Sequence, residues 1–164
     1  MTVLNILHHP DPRLRTKATA VDVFDDKLSE FARDLLTTMY AAPGIGLAAT
    51  QVNVHKQIIV VDVSDDKSEP HTLINPVLET FGKKIKGEEG CLSVPEIYEP
   101  VERFEQVYVS AFDVQGNLIE FAADGMLAIC IQHECDHLQG KLFVDYLSSL
   151  KRSRIAKKLR VRAS

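Results

Sequence analysis

The 164-residue sequence has no tryptophan, three cysteines and no apolar run approaching the roughly 20 residues that cross a bilayer. No opening segment has the charged, apolar and small-residue order of a secretory signal, so the expectation is a soluble, cytoplasmic protein without a membrane partner. The cysteines, Cys91, Cys130 and Cys135, are odd in number and irregularly spaced. That argues against a disulfide framework and leaves plain burial or metal ligation as their uses. No repeat, low-complexity stretch or linker divides the chain, and its 45% hydrophobic content suits one globular domain over residues 1–164. The last absence is of acid near the end. Residues 151–164 carry seven basic and no acidic side chains, while residues 1–150 carry 23 acidic and 12 basic. The net charge of -4 is therefore the sum of a body near -11 and a tail of +7.

Asp25 or Asp26 can cap a helix whose apolar residues Leu28, Phe31, Ala32, Leu35, Leu36 and Met39 follow the helical period, with Pro43 and Gly44 ending it. The next stretch, Gly44-Ile45-Gly46-Leu47-Ala48-Ala49-Thr50-Gln51, has small side chains and approachable backbone, and reads as a loop or sheet edge. Residues 56–63 form a β-branched run typical of a buried strand, and 73–78 a shorter one interrupted by Asn75-Pro76. Residues 107–113 and 118–122 flank Val114-Gln115-Gly116-Asn117 as a hairpin. A second helix is expected from Gly125 to about Leu138, between Asp124 and Gly140. A third begins near Ser148 or Ser149 and uses Leu150, Ile155 and Leu159 as its apolar side. The expected class is α+β, with antiparallel sheets packed around the helix from Gly125 to Leu138 and with an N-terminal and a C-terminal helix.

That central helix carries His133-Glu134-Cys135-Asp136-His137, an H-E-x-x-H sequence. At about 100° per residue its two histidines lie roughly 40° apart on one face, so both can meet one metal ion. Glu134 is turned by about 100° from His133, within reach of a water on that ion without occupying a ligand position. With six histidines in the chain, random order yields roughly 0.014 such matches. The plain alternative is an amphipathic helix with solvated or core histidines. A catalytic site needs a third ligand. Cys135 is rotated about 200° from His133 and faces away, while Cys130 is roughly 7.5 Å along the axis from the midpoint of the histidines. By elimination Cys91, preceded by Gly90, is the best ligand, although a lone free cysteine is usually a small buried hydrophobe.

Three segments taken together resemble the peptide deformylase family: residues 44–51, Glu89-Gly90-Cys91-Leu92-Ser93, and Gln132-His133-Glu134-Cys135-Asp136-His137, in the family's order. The flanks 7–15 and 123–129 share the resemblance. It implies a metal held by Cys91, His133 and His137 with an open fourth position, Glu134 as general acid and base, and Gln51 with the Leu92 backbone amide around the oxyanion. It implies Fe²⁺ as the natural ion, with Zn²⁺, Ni²⁺ or Co²⁺ substituting, and N-formylmethionyl nascent peptides as substrate. It also implies that Gly44, Ile45, Gly46, Glu89 and Gly90 belong to the substrate site. Met126, Ile129 and Cys130 share the stripe of His133 and offer an apolar wall, or are simply core residues. The chain has Tyr98 where that family suggests a basic residue. Arg103 either pairs with Glu89 to position the Cys91 loop or forms an exposed ion pair of small value.

Two other readings share these residues. A zinc endopeptidase would keep H-E-x-x-H but commonly takes a His or Glu as third ligand, and casein cleavage separates it from deformylation. A non-catalytic, metal-stabilised ribosome-binding protein would fill all four metal positions with protein, which Glu134 argues against. Lys151, Arg152, Arg154, Lys157, Lys158, Arg160 and Arg162 make residues 148–164 a basic helix. Such a helix is either a solvated end or, as the resemblance implies, a contact to the ribosome that short-peptide turnover does not need.

Overall fold

Asp25 starts the first helix by accepting a hydrogen bond from the Leu28 amide at 3.0 Å, in a computed structural model that describes residues 2–163. Residues 1 and 164 of the expected domain lie outside the described residues. Helix α1 (Asp26–Ala41) buries Leu28, Ala32, Leu35 and Met39, the stripe that the helical spacing predicts. Five antiparallel strands follow in simple order: β1 (Gly46–Ala48), β2 (Ile58–Val61), β3 (His71–Cys91), β4 (Val94–Phe112) and β5 (Leu118–Asp124). Helix α2 (Gly125–Leu138) and helix α3 (Ser149–Ala163) complete the chain. The class is α+β, and the strands form one continuous sheet where separate sheets were expected. Register shifts between Ile74 and Val77, between Phe81 and Lys84, and between Glu89 and Cys91 let long strands bend without splitting the ladder.

Strand β2 explains how two helices share this sheet. Ile59 and Val61 pack with Leu73, Val107, Val109, Ala128 and Ile131 on the α2 side. Ile58 and Val60 pack with Leu28, Leu35, Met39 and Ile74 on the α1 side. All four β2 side chains are buried, which is why the strand reads as a continuous apolar run. Each such aliphatic side chain contributes about 1.5–3 kcal/mol by leaving water. Helix α2 thus lies on a filled surface, with one stripe against the sheet and the opposite one free for chemistry.

The termini of α2 are where the sequence places them. Asp124 has extended backbone at the N-cap position, though its side chain makes no capping bond. Gly140 ends the helix with φ of 76°, and a Cβ there would strike the backbone carbonyl of Arg15. Residues 44–51 form edge strand β1 and then a 3-10 turn, Ala49–Val52. The largest difference lies in β3, expected to end at 78 yet running to Cys91 against the equally unexpected first half of β4. From Glu79 to Glu88 this ribbon is exposed, so no burial pattern marks it. The α3 expectation also needs correction at Leu150. It is 60% exposed, whereas Ile155 and Leu159 are buried against Val94, Ile97, Leu142 and Phe143. Leu150 opens the helix ahead of the stripe that touches the body.

Candidate metal centre

The β3–β4 ribbon ends in a two-residue turn, Leu92-Ser93, that pairs Cys91 with Val94 and carries the Cys91 thiol to helix α2. There Cys91 Sγ lies 3.3 Å from His137 Nε2, which lies 3.3 Å from His133 Nε2. All three donor atoms fall within 4.8 Å of one another. A tetrahedral ion with metal–nitrogen bonds of about 2.0–2.1 Å and a metal–sulfur bond of about 2.3 Å separates N from N by about 3.3 Å and N from S by about 3.6 Å. The observed spacings fit one ion, and three protein donors leave a position open. Cys130 and Cys135 stand outside the group. Cys130 Sγ points to the Ile45 carbonyl at 3.6 Å, and Cys135 packs toward the sheet.

His133 is oriented from behind. Its Nδ1 donates to Glu89 Oε1 at 2.8 Å, which turns Nε2 toward the open space. Arg103 grips the same carboxylate with two bonds, Nε to Oε2 at 2.8 Å and Nη2 to Oε1 at 2.9 Å. The Arg103 and Glu89 side chains are only 5% and 7% exposed. This pair is therefore the positioning arrangement and not an exposed surface bridge. Burial works against the Glu89 charge, but Arg103 and His133 hold its carboxyl below the usual range. Burial likewise opposes a cation on His133, yet Glu134, with Cys91 and Glu89, outweighs it and raises the imidazole well above its ordinary value. Burial, then the neighbouring His133, keeps His137 far below its usual value and hence neutral, the form in which an imidazole can bind a metal ion.

Glu134 is 4% exposed, and burial pushes its carboxyl up to about 7. Its Oε1 has no hydrogen-bond partner among the described residues, and its Oε2 lies 3.9 Å from His133 Nε2. An unpartnered, buried carboxylate beside a ligand is suited to moving a proton. On the other side of Cys91, the Gln51 carboxamide is fixed at both ends. Oε1 accepts from the Ala48 amide at 2.9 Å, and Nε2 donates to Ser93 Oγ at 2.9 Å and, weakly, to Cys91 Sγ at 3.6 Å.

A cavity of about 560 Å³ opens over this group. Gly44, Ile45 and Gly46 line one side, Glu89, Gly90, Cys91 and Leu92 another. Met126, Ile129, Cys130, His133 and Glu134 contribute from α2. Of the candidate metal, catalytic and substrate-site residues read from the sequence, Gln51 and His137 are not part of its lining. Three elements escaped that reading. Ser93 anchors Gln51, and Phe143 stacks near His133 at 6.1 Å between ring centroids. Asp136 accepts from Arg103 Nη1 at 2.6 Å. Ser93 and Asp136 stood inside the quoted segments, so the signal for both was position within two residues of a candidate ligand; Phe143 carried none.

With this geometry in view, comparison with known proteins is direct. The family model described as Polypeptide deformylase matches residues 3–153. The peptide deformylase of Pseudomonas aeruginosa is 60% identical over 160 residues, covering 97% of this chain and 95% of that protein. A crystal structure of a peptide deformylase from Legionella pneumophila superposes with a TM-score of 0.91 at 43% identity, covering 99% and 98% of the two chains. A crystal structure of the Ehrlichia chaffeensis peptide deformylase in complex with actinonin gives 0.95 at 38% identity, again over 99% and 98%. The metal-binding geometry, the fold and the sequence agree, and the chain belongs to the polypeptide deformylase family.

Proposed function

We propose that this enzyme hydrolyses the formyl amide of peptides that begin with N-formylmethionine, releasing formate and a free N-terminus. The observation that carries the reading is the convergence of Cys91, His133 and His137 beside the unpartnered carboxylate of Glu134 at the cavity wall. These three residues would hold a divalent ion, with Fe²⁺ as the natural one and Zn²⁺, Ni²⁺ or Co²⁺ accepted by the same thiolate and imidazole donors. Bound there, the ion would lower the pKa of a water toward about 7 and polarise the formyl carbonyl.

The remaining work falls to the chain. Glu134 takes a proton from the attacking water as the new C–O bond forms, then delivers it to the amine nitrogen, so that the C–N bond breaks and the carbonyl is restored in formate. As the carbonyl oxygen gains charge, Gln51 Nε2 exchanges its weak bond to Cys91 for one to that oxygen, and the Leu92 amide supplies a second donor. Ile45, Met126, Ile129 and Cys130 present apolar surface to the methionine side chain. Backbone at Gly44 to Gly46, on edge strand β1, pairs with the extended peptide as an added strand, with Glu89 and Gly90 across the cleft. The whole chain serves this reaction as one catalytic unit in the cytoplasm.

Helix α3 is assigned to the ribosome. Lys151 and Arg162 pair with Glu99 and Glu96 at 3.3 and 3.0 Å, while Arg152, Arg154, Lys157 and Lys158 are exposed and offer charge to RNA phosphates. No helix among the described residues is long and apolar enough to cross a membrane. Formate release from formyl-Met peptides tests the activity, with casein as the control for endopeptidase action. Glu134→Gln should keep the metal and lose at least about 10² in rate. Unchanged turnover would remove Glu134 from the mechanism. Co-sedimentation with ribosomes at low and high salt, before and after truncation following Ser148, tests the tail; a truncated chain that still sediments at low salt refutes it.

A further inference from the structure

Asp136 fills what looks like a spacer position of the H-E-x-x-H sequence, yet it joins a hydrogen-bonded line running from the surface to a metal-ligating histidine. Tyr146 Oη donates to Asp136 Oδ2 at 2.7 Å, and the same oxygen accepts from Arg103 Nη1 at 2.6 Å. Arg103 Nε and Nη2 both donate to Glu89, which accepts from His133 Nδ1 at 2.8 Å. The Tyr146 ring closes the outer end, with Arg103 Cζ 5.0 Å from its centroid. Tyr146 is half exposed, whereas Arg103 is 5% exposed. Arg103, Asp136 and Tyr146 all border a second cavity of about 600 Å³ on the side of α2 away from the reaction.

From this line of contacts we infer that Tyr146, acting through Asp136, Arg103 and Glu89, is a positioning residue that holds His133 in its ligating orientation. The guanidinium can clamp Glu89 in one pose only while its third donor is fixed, and Asp136 fixes it. The Tyr146 hydroxyl in turn holds Asp136, and its ring keeps the second cavity's water from the Arg103 face, where a cation–ring contact is favourable. Loss of the hydroxyl leaves Asp136 held by Arg103 alone; loss of the ring as well hydrates the guanidinium and loosens Glu89. His133 then samples orientations that no longer present Nε2 to an ion. Phe143 braces the imidazole face but offers no hydrogen bond, so it cannot substitute for this control of rotation.

The inference rests on the metal-centre reading, and the experiment separates the two. Enzyme loaded with Zn²⁺ is mixed with a chromophoric chelator and the rate of metal release is followed, alongside thermal unfolding of the chelated protein. Tyr146→Leu should release metal roughly 10-fold faster or more, the scale expected for outer-shell partners, and Tyr146→Phe by a smaller factor. Metal-free Tyr146→Phe should unfold at the temperature of the metal-free parent. In a Glu89→Gln background, Tyr146→Phe and Tyr146→Leu should each add less than about twofold, because the link they act through is already cut. Equal release rates for wild type and both Tyr146 variants would overturn the inference, as would full effects persisting beside Glu89→Gln. A wild-type chain that retains no metal would sink the metal-centre reading itself, and the inference with it.

Discussion

Gly46 and Glu134 are in such close approach that a methyl group on Gly46 would sit 2.6 Å from Glu134 Oε2 and 2.7 Å from Cys130 Sγ. Side-chain ends can move in principle, but both of these, carried by α2, are buried. Gly46→Ala should therefore fold and retain metal while displacing the carboxylate. A displacement of about 1 Å at a catalytic group costs on the order of 10² in rate. Metal analysis beside formate release checks this; full activity with metal in place would show that the Glu134 position is not critical.

Cys91→Ser is expected to lose metal that Cys130→Ser keeps. Cys91 Sγ faces both imidazoles, whereas Cys130 Sγ faces a backbone carbonyl. A three-donor site has no spare ligand, so replacing the sulfur weakens binding outright. Equilibrium dialysis of both variants distinguishes them, and the reverse result would reassign the thiol. Removing the ion from wild type with a chelator should abolish formate release, and adding it back should restore it.

Arg103→Leu should be among the costliest single changes in the chain. The Glu89 carboxylate, 7% exposed, would keep its burial and lose the Arg103 cation that holds it with two bonds, a situation that costs about 3–5 kcal/mol. Urea unfolding of metal-free protein measures it without interference from the site. Making Glu89 leucine as well should recover part of the loss, since the pair itself adds little net stability. A loss under about 1 kcal/mol would mean that the pair behaves as a surface bridge.

What the sequence revealed tracks what was periodic or chemically constrained. Helix α2 was legible because an apolar period, Asp124 and Gly140 agree on its bounds, and Cys91 because geometry removed the other thiols. The ribbon from Glu79 to Glu88 was not, since it packs against no core and leaves no alternation of apolar and polar residues. Arg103 was ambiguous for a different reason. A charged pair looks the same in sequence whether exposed or buried, and only the fold brings Asp136, Tyr146 and Glu89 around one guanidinium. Leu150 misled because apolar character at the start of a helix does not reveal which side meets the body.

Helix α3 provides the last prediction, because its two buried apolar residues do more than decorate a charged tail. Ile155 and Leu159 are 5% and 7% exposed and lie in the cluster that includes Val94, Ile97, Leu142 and Phe143, with Cys91 packed at its margin. Ile155→Ala should therefore cost about 2–5 kcal/mol, whereas Leu150→Ala, at a site 60% exposed, should fall within about 0.5 kcal/mol of wild type. Truncation after Ser148 removes both buried residues and should lower the unfolding midpoint. Turnover of short formyl peptides should persist at low temperature, because among the described residues none of α3 borders the cavity over the metal site. The check is paired urea unfolding and formate release for Ile155→Ala, Leu150→Ala and the truncated chain. If Ile155→Ala matched Leu150→Ala in stability, α3 would not be docked on the body, and its role would reduce to that of a tethered basic segment.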